Sequence, residues 1–364
     1  MLEVLVIAGL VAGLIVWSRR KRPAPRGESP ESYTRPPSFG PPTPQGRSQE
    51  ARQQAFDTFG RFGPGGDPRI LTDAAEQFQR ASDLAEPGDP KKSRDLMHVC
   101  ILLRTFYDET RELWALNDAA AAGRAALSAK PDPDTYHDVL VRLGICLYAK
   151  FQATKENNAL TESLNALRAA AKTAAPGRPE SLASLYHLAI ALYRAYDGSH
   201  DPTLLEEAVA AGRQAANNPN PLQVAALCQL VRHLRELSWA NKEPALLQEA
   251  ETVARRGIQI TAEDNPADRS SCLLELAQTL DRLAHKTGRL DYLREAVYAA
   301  DEAVRLTPDP IDRRIRSVIG DGIAKRLRER HPPAESAEEA GERPLGEGYP
   351  FSPPPPPPPL RATG

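Results

Sequence analysis

The side chains best able to do nucleophilic, redox or metal chemistry are scattered along this sequence. No two cysteines form a C-x-x-C pair, so the sequence contains neither a zinc knuckle nor a thioredoxin-like redox motif. Each cysteine lies within an apolar helical pattern, in a chain long enough to build its own core. We therefore expect small buried apolar residues rather than a disulfide framework. The four cysteines are Cys100, Cys146, Cys228 and Cys272.

The seven histidines are equally dispersed. His98 and Cys100 stand two positions apart, which places them about 200° apart around a helix, so they cannot form a Cys/His dyad. His187 and His233 interrupt apolar helical patterns and are expected to be partly exposed rather than to bind a metal. The phosphate-loop, G-x-G-x-x-G, H-E-x-x-H and G-x-S-x-G motifs are all missing from the sequence. The sequence therefore predicts a protein that is not an enzyme and that holds no cofactor or metal.

Composition limits the partners of this chain of 364 residues. Lys and Arg number 46 against 48 Asp and Glu, so the formal charge is -2 and no net field attracts DNA or RNA. The 34 prolines are too many for a wholly packed structure of this length, so part of the chain is expected to be linker. We expect protein partners and no nucleic acid.

The first residues have the pattern of a membrane anchor. Val4–Trp17 contains no charge and is followed by the basic cluster Arg19–Arg22, whereas a cleavable signal would carry its positive charge before the apolar run. We predict one transmembrane helix over residues 1–18, with everything after Arg19 in the cytoplasm. Because the run is short, a peripheral anchor is the alternative.

A small-residue step lies inside this predicted span. Gly9 and Gly13 form a G-x-x-x-G motif, which lets two membrane helices approach closely. The motif is compatible with a homodimer through Gly9 and Gly13. Glycine is also common in membrane helices that do not associate, so both interpretations stay open.

Two segments have the composition of linkers. Residues 19–66 are rich in basic residues and then in Pro, Gly, Ser and Gln, and are predicted to be a disordered stalk, except that Gln49–Phe62 has the spacing of a short amphipathic helix. Residues 332–364 form a Pro-rich tail that is also predicted to be disordered. Its run Pro353–Pro359 favours a polyproline II rod, which is either a ligand for an aromatic groove or a low-complexity tail without a partner.

Between these segments, a pair of helical patterns recurs. The first has apolar or small residues at i, i+3, i+4 and i+7, one face of a helix. It occurs at Leu96-Val99-Cys100-Leu103, Leu140-Leu143-Gly144-Leu147, Leu185-Leu188-Ala189-Leu192, Leu227-Leu230-Val231-Leu234 and Leu273-Leu276-Ala277-Leu280. The second pattern combines Leu, an acid and two small residues seven apart, which suits close packing against another helix. It occurs at Leu116-Asp118-Ala119-Ala126, Leu160-Glu162-Ser163-Ala170, Leu205-Glu207-Ala208-Ala215, Leu247-Glu249-Ala250-Gly257 and Leu293-Glu295-Ala296-Ala303.

The spacing of the two patterns predicts one geometric unit. The distance within a unit is always twenty positions, as from Val99 to Ala119, whereas the distance between units varies from twenty-two to twenty-six. Pro-rich turns separate the units. A lone helix of the second type around Leu71–Ala81 and an Arg-rich helix over 310–327 are expected to cap the array. The sequence thus predicts an all-α fold, an α-solenoid of about five helix pairs with capping helices over residues 67–331.

The small residues Gly144, Ala189 and Ala277, the paired small residues seven apart and the following prolines resemble the tetratricopeptide repeat over about 260 residues. The period of 42 to 46 residues departs from the usual 34, and Leu replaces the family's first-helix Trp. The pattern is closer to the long-period, Ala- and Arg-rich variants of actinobacterial and fungal proteins. The resemblance implies a protein-binding scaffold without catalytic activity.

The resemblance also implies a concave groove lined by first-helix side chains. These lie two and five positions after the second residue of each first-helix pattern, such as Val99 or Leu143. In the first four units these are Ile101, Arg104, Ile145, Tyr148, Ile190, Tyr193, Arg232 and Arg235. The membrane-proximal half would be apolar and aromatic, and the distal half basic. A peptide would lay apolar side chains on the tyrosines and place an acid at Arg232 or Arg235. The alternative is that the isoleucines only widen the core and the arginines are solvated.

A second set of arginines recurs five residues after the first small residue of the second-helix pattern. It alternates with the recurring acids of the same helices, which predicts interhelical ion pairs on the outer surface and no binding site. These arginines are Arg124, Arg168, Arg213 and Arg255. As functions, we expect a membrane-anchored adaptor that binds a cytoplasmic protein, or a structural subunit of a larger membrane-associated assembly with contacts through the tail and the span.

Overall fold

The computed structural model describes residues 44–173, 179–217, 222–261 and 265–330, and every regular element in these ranges is an α-helix. The thirteen helices of the described ranges are α1 Pro44–Phe59, α2 Arg69–Leu84, α3 Pro90–Thr110, α4 Leu113–Ser128, α5 Pro133–Thr154, α6 Asn157–Thr173, α7 Pro179–Ser199, α8 Pro202–Ala216, α9 Gln223–Asn241, α10 Ala245–Ile260, α11 Pro266–Thr287, α12 Leu290–Leu306 and α13 Pro310–Arg330. None of these helices has the combined length and hydropathy needed to span a bilayer. The predicted membrane helix at 1–18, with Gly9 and Gly13, and the tail at 332–364 lie outside the described residues.

The helices pack as consecutive pairs, α1 with α2 through α11 with α12, and each pair packs on the next. The all-α helical-repeat solenoid predicted from the sequence is confirmed in the described residues. The number of pairs differs from the prediction. The helix α2 was expected to be a lone cap, but it is the second helix of a sixth pair at the amino-terminal end of the array. Its partner α1 lies within the predicted linker 19–66.

The first helix of this sixth pair lacks the leucines of the other first helices. Ala51 and Ala55 occupy the corresponding inward positions and are 5% and 0% exposed. Arg52 forms an ion pair at 2.6 Å with Asp95 of α3, which is almost fully buried. The predicted helix over Gln49–Phe62 therefore exists, but it begins at Pro44 and is part of the solenoid.

The turn inside each pair explains the constant spacing of twenty residues. Five first helices end at a residue in the left-handed conformation, and its backbone N–H closes the last helical turn. These residues are Arg111, Lys155, His200, Lys242 and Gly288. The second helix starts only two or three residues later, so the turn within a pair is short and leaves little room for a change in its length.

A recurrent hydrogen bond ties the start of four first helices to the end of their partners. Ser48, Ser93 and Ser270 each donate from Oγ to the backbone carbonyl of an alanine thirty-three positions later, at 2.5 to 2.8 Å. In α5, His137 makes the same contact through Nδ1 at 3.1 Å. The contact occupies a carbonyl that helix geometry leaves without an intrahelical partner, and it shows that the two helices run antiparallel.

The small residue Gly144 of a first helix allows close approach to the second helix of its pair. A Cβ added to Gly144 would lie 2.6 Å from Cγ of Leu167 on α6. At the same contact, Ser163 Oγ donates to the Gly144 carbonyl at 2.7 Å. Gly144 is therefore required by helix packing and not by an unusual backbone angle.

The solenoid curves with its first helices on the inner side. Within the described residues, α3 approaches α5, α5 approaches α7, α7 approaches α9 and α9 approaches α11, whereas no two successive second helices come comparably close. The second helices are bridged instead by long side chains. The predicted outer ion pairs are confirmed as Arg124–Glu162, Arg168–Glu207, Arg213–Glu249 and Arg255–Glu295, at 2.6 to 2.7 Å.

The last helix does not have the polar outer face expected of a cap. Ile311, Ile315 and Val318 of α13 lie at i, i+4 and i+7 and are 70%, 56% and 67% exposed. On the opposite face, Gly320 and Ile323 are buried, with Gly320 close to Ala300 of α12. α13 thus packs on α12 in the way that a first helix packs on the second helix before it.

Candidate binding surface on the first helices

The structure places the eight predicted groove residues on α3, α5, α7 and α9, but it does not leave all of them on the open inner surface. Ile145 is only 8% exposed and belongs to the core with Ala166 and Ala170 of α6. For Ile145, the alternative that the isoleucines widen the core stripe is therefore correct. Ile101 and Ile190 are partly buried.

The two groove tyrosines lie on neighbouring first helices and are partly exposed. Tyr148 of α5 contacts Phe151, with ring centroids 6.4 Å apart, and its hydroxyl is hydrogen-bonded to Arg194 of α7. Tyr193 of α7 stacks on His233 of α9, with centroids 4.9 Å apart and an interplanar angle of 21°. The aromatic half of the predicted groove is thus a row of rings running across α5, α7 and α9.

His233 is fully buried, which corrects the expectation that it would be partly exposed. Neither ring nitrogen has a hydrogen-bond partner. Burial, together with the positive charge of the neighbouring Arg232, lowers the pKa of His233 to about 3. The ring is therefore neutral near pH 7 and serves as a flat packing surface under Tyr193.

The predicted basic cluster of the distal half is largely neutralised by a residue that the sequence reasoning missed. Arg235 is buried and pairs through Nη1 with the carboxylate of Glu275 on α11, while Arg232 donates to the other carboxylate oxygen at 2.9 Å. Arg235 also donates to Gln278 at 2.8 Å. Burial alone would raise the pKa of Glu275, but the two guanidiniums outweigh it and the pKa is lowered. Arg235 is therefore not available to an acidic partner, whereas Arg232 remains 44% exposed.

The less compensated positive charges lie in the proximal half instead. Arg104 pairs with Asp108 at 3.3 Å, but its buried Nε has no hydrogen-bond partner. Burial lowers the pKa of Arg142 on α5, and repulsion from Arg104 lowers it as well. The attraction of Asp138 raises this pKa but does not offset the other two effects. Burial and these two arginines also lower the pKa of His187 on α7 to about 3. Arg104 and Arg142 thus disfavour further positive charge on the inner surface of α3, α5 and α7.

These polar residues share one register that the sequence analysis did not use. The position just before the second residue of each first-helix pattern, such as Val99 or Leu143, is polar in all five units, although it lies beside the apolar stripe. The set is His98, Arg142, His187, Gln229 and Glu275. A regular polar residue at the edge of an apolar stripe is the signal that would have identified this inner row.

In the part of the chain that the structure describes, no group of three His, Cys, Asp or Glu side chains is arranged to hold a metal ion. All four cysteines are free thiols. Cys100, Cys146 and Cys272 are buried as predicted, whereas Cys228 is partly exposed and its Sγ lies 3.5 Å from that of Cys272.

No family model matches the sequence, and no curated relative is found. Among solved structures, the chain is similar to the S. pombe nuclear import adaptor Nro1, with 16% identity, a TM-score of 0.45, and coverage of 74% of this chain and 97% of that one. It is similar to a TPR repeats protein from Bacteroides fragilis, with 14% identity, a TM-score of 0.30, and coverage of 77% and 98%. It is also similar to the TPR2AB domain of yeast Sti1, with 12% identity, a TM-score of 0.27, and coverage of 77% and 98%. The sequence identities and TM-scores of these matches are low, so the fold assignment rests on the helix pairs of this chain themselves.

Proposed function

We propose that this chain is a protein-binding adaptor whose inner first-helix surface holds a peptide segment of another protein. The observation that carries the proposal is the pair Tyr148 and Tyr193, two partly exposed tyrosines on adjacent first helices of a curved helical array. Tyrosines on rigid helices provide large contact areas at low entropic cost. A concave surface of this kind suits a helical or extended peptide.

The charge of the surface indicates the chemistry of the partner. The attraction of Asp138 does not offset the effects of burial and of Arg104 on Arg142, and Arg104 and Arg142 together lower the pKa of the neutral His187. An acidic side chain of the partner would gain a charge-assisted hydrogen bond from Arg142. The acid thus meets the proximal arginines, and not Arg235 as the sequence alone suggested.

The proposed location of the protein at the membrane rests on its sequence alone. Residues 1–18 would anchor the chain in the cell membrane as a single span, with the solenoid on the cytoplasmic side. The disordered stalk would then comprise residues 19–43, since the solenoid begins at Pro44. An adaptor held in this way would concentrate its partner at the membrane.

The test compares two substitutions on the inner surface with one on the outer surface. Affinity capture with the full-length protein identifies partners, and the double variant Tyr148→Ala/Tyr193→Ala is then tested against each of them. Tyr298→Ala is the matched control, because Tyr298 is 63% exposed on the second helix α12. We expect the inner variant to lose binding with unchanged helicity, and Arg142→Gln to weaken it. A partner retained equally by all three variants would refute the inner surface as its site.

A second function has support from α13. Its exposed row Ile311, Ile315 and Val318 suits a structural subunit of a larger membrane-associated assembly. The two functions respond differently to mutation. Ile311→Ser/Ile315→Ser or deletion of residues 332–364 would remove partners of the assembly type and leave those bound by Tyr148 and Tyr193.

A further inference from the structure

A cleft of about 410 Å³ lies where the carboxyl ends of α9, α11 and α13 meet. Leu247 and Leu293 contribute apolar walls. Trp239 stands at its edge and is 66% exposed, with Nζ of Lys286 5.8 Å from the centre of its ring. An exposed indole beside a concave surface is a feature typical of binding sites.

Not all of the charges in this cleft are paired. Arg282 Nη2 donates to Glu236 Oε1 at 2.7 Å. Arg326 makes a bidentate contact with Asp281 at 2.7 and 2.8 Å. These pairs use both carboxylates that line the cleft.

Two cations remain without a carboxylate partner among the described residues. Arg330 donates through Nη1 to the backbone carbonyl of Ala284 at 3.1 Å, and Lys286 contacts the ring of Trp239. The cleft therefore carries surplus positive charge next to an exposed aromatic ring. Its complement is an acidic segment that contains prolines or other flat apolar groups.

The chain supplies such a segment immediately after the cleft. Arg330 lines the cleft, and the sequence continues with two prolines at 332 and 333 followed by Glu335, Glu338 and Glu339. The whole of residues 331–364 contains five glutamates against two arginines. Five to nine extended residues reach about 16 to 30 Å. Lys286 follows Ala284, which Arg330 contacts, by only two residues, so the glutamates can reach it.

We propose that residues 332–342 occupy this cleft in their own molecule, with the prolines on Trp239 and the glutamates at Lys286 and Arg330. Prolines bind aromatic surfaces at low entropic cost because their backbone is already restricted. The short connection to Arg330 also gives the segment an effective concentration of the order of millimolar, so a weak contact suffices. Neither Tyr148 nor Tyr193 lines this cleft, so the contact leaves both tyrosines open.

The test is zero-length coupling of lysines to carboxylates in the full-length protein with a water-soluble carbodiimide, followed by peptide mass spectrometry. Lys325 is the internal control. It is 71% exposed and lies on α13, nearer in sequence to the tail, but it does not line the cleft. We expect coupling of Glu335, Glu338 or Glu339 to Lys286 to exceed coupling to Lys325 by about tenfold, to be independent of protein concentration, and to fall at high salt.

A second measurement reports on Trp239. Acrylamide quenching of the full-length protein, corrected with Trp239→Phe, should increase when Glu335, Glu338 and Glu339 are all changed to Gln, and should not change in Glu347→Gln. Equal coupling to Lys325 and Lys286 would overturn the proposal, because it indicates a tail that samples all lysines alike. Coupling that appears only between molecules and rises with protein concentration would also overturn it, in favour of a second copy as the occupant. Unchanged quenching in the triple variant would contradict the contact with Trp239.

Discussion

Arg235 of α9 and Glu275 of α11 form an ion pair with side chains only 4% and 6% exposed. The pair joins two successive first helices in the distal half of the solenoid, and Gln278 and Arg232 add further hydrogen bonds, whereas the buried Nε of Arg235 has no partner. A charge in such a place is tolerated only while its counter-charge remains.

We therefore predict that Glu275→Ala lowers the free energy of unfolding by about 3 to 5 kcal/mol, because it leaves Arg235 buried without a counter-charge. The double variant Arg235→Met/Glu275→Leu should recover most of this loss. Arg168→Ala is the control on the outer surface, where its pair with Glu207 is more than a third exposed, and should cost no more than about 1 kcal/mol. Denaturant unfolding followed by circular dichroism measures all three. A loss in Glu275→Ala as small as that in Arg168→Ala would show that water reaches the buried pair.

The outer ion pairs and the buried pair differ in how far the sequence could predict them. Arg168 and Glu207 recur with the helix period and lie beyond the core stripe, so their pairing follows from helix geometry alone. Glu275 interrupts an apolar stripe, and its partner is forty residues away on another helix. Only the stacking of α9 on α11 brings them together, and a single sequence contains no signal for that pairing.

The same reasoning explains the differences in architecture. Five pairs were predictable because leucines mark their cores, whereas α1 uses Ala51 and Ala55 at the same positions and resembles linker in composition. The left-handed residues that end the first helices, such as Lys155 with φ 62°, are also hard to recognise, because only Gly288 is the residue type that favours this conformation. The constant spacing of twenty was visible, but the turn that causes it was not.

The close approach of α5 and α6 gives a second prediction. Gly144→Ala should destabilise the protein by about 1 to 3 kcal/mol, because the new methyl group would overlap Leu167 in a packed core. Gly198→Ala is the matched control, since Gly198 of α7 has no atom within 4 Å of an added Cβ. The control should be neutral or more stable by up to about 1 kcal/mol because alanine favours helix. If thermal unfolding shifts equally in both variants, the packing of Gly144 on Leu167 is not the cause.

The neighbouring thiols of α9 and α11 give a third prediction. Cys228 and Cys272 are 3.5 Å apart at Sγ, and the hydrogen bond between them lowers the pKa of Cys272 despite its burial. A diazene oxidant should therefore remove two hydrogen atoms from this pair to form a disulfide, the oxidant being reduced to the hydrazine. Cys100 and Cys146 are also hydrogen-bonded to each other, but both are buried, so they should keep their thiols under the same conditions.

Intact mass and peptide mapping before and after oxidation check this outcome. Cys228→Ser should abolish the loss of two hydrogen atoms, because the remaining Cys272 is buried and has no thiol beside it. Oxidation of Cys100 and Cys146 as readily as of Cys228 and Cys272 would contradict the difference in exposure. A disulfide between molecules in place of the internal one would contradict the proximity of the two helices.

The buried histidines give a prediction for pH. Burial lowers the pKa of His98 to about 4 and those of His187 and His233 to about 3, whereas an unfolded histidine titrates near 6.5. Between these values the unfolded chain binds more protons than the folded one, so stability rises with pH in this window. Acidification below about pH 6.5 should therefore cost up to about 1.4 kcal/mol per pH unit for each of the three histidines.

His233→Phe separates this effect from other acid titrations. The variant keeps a flat ring against Tyr193, removes two nitrogens that have no hydrogen-bond partner, and cannot be protonated. Arg232 and Glu275 face the same position and are retained, so the variant removes only the protonation of His233. Denaturant unfolding at a series of pH values from 7 to 5 should give a shallower loss of stability in His233→Phe than in the unsubstituted protein. His285→Gln, an exposed change on α11, should leave the pH dependence as it was. Because the buried ring of His233 has no hydrogen-bond partner for an added proton, an unchanged slope in His233→Phe would mean that water or an acid reaches this ring in the folded protein.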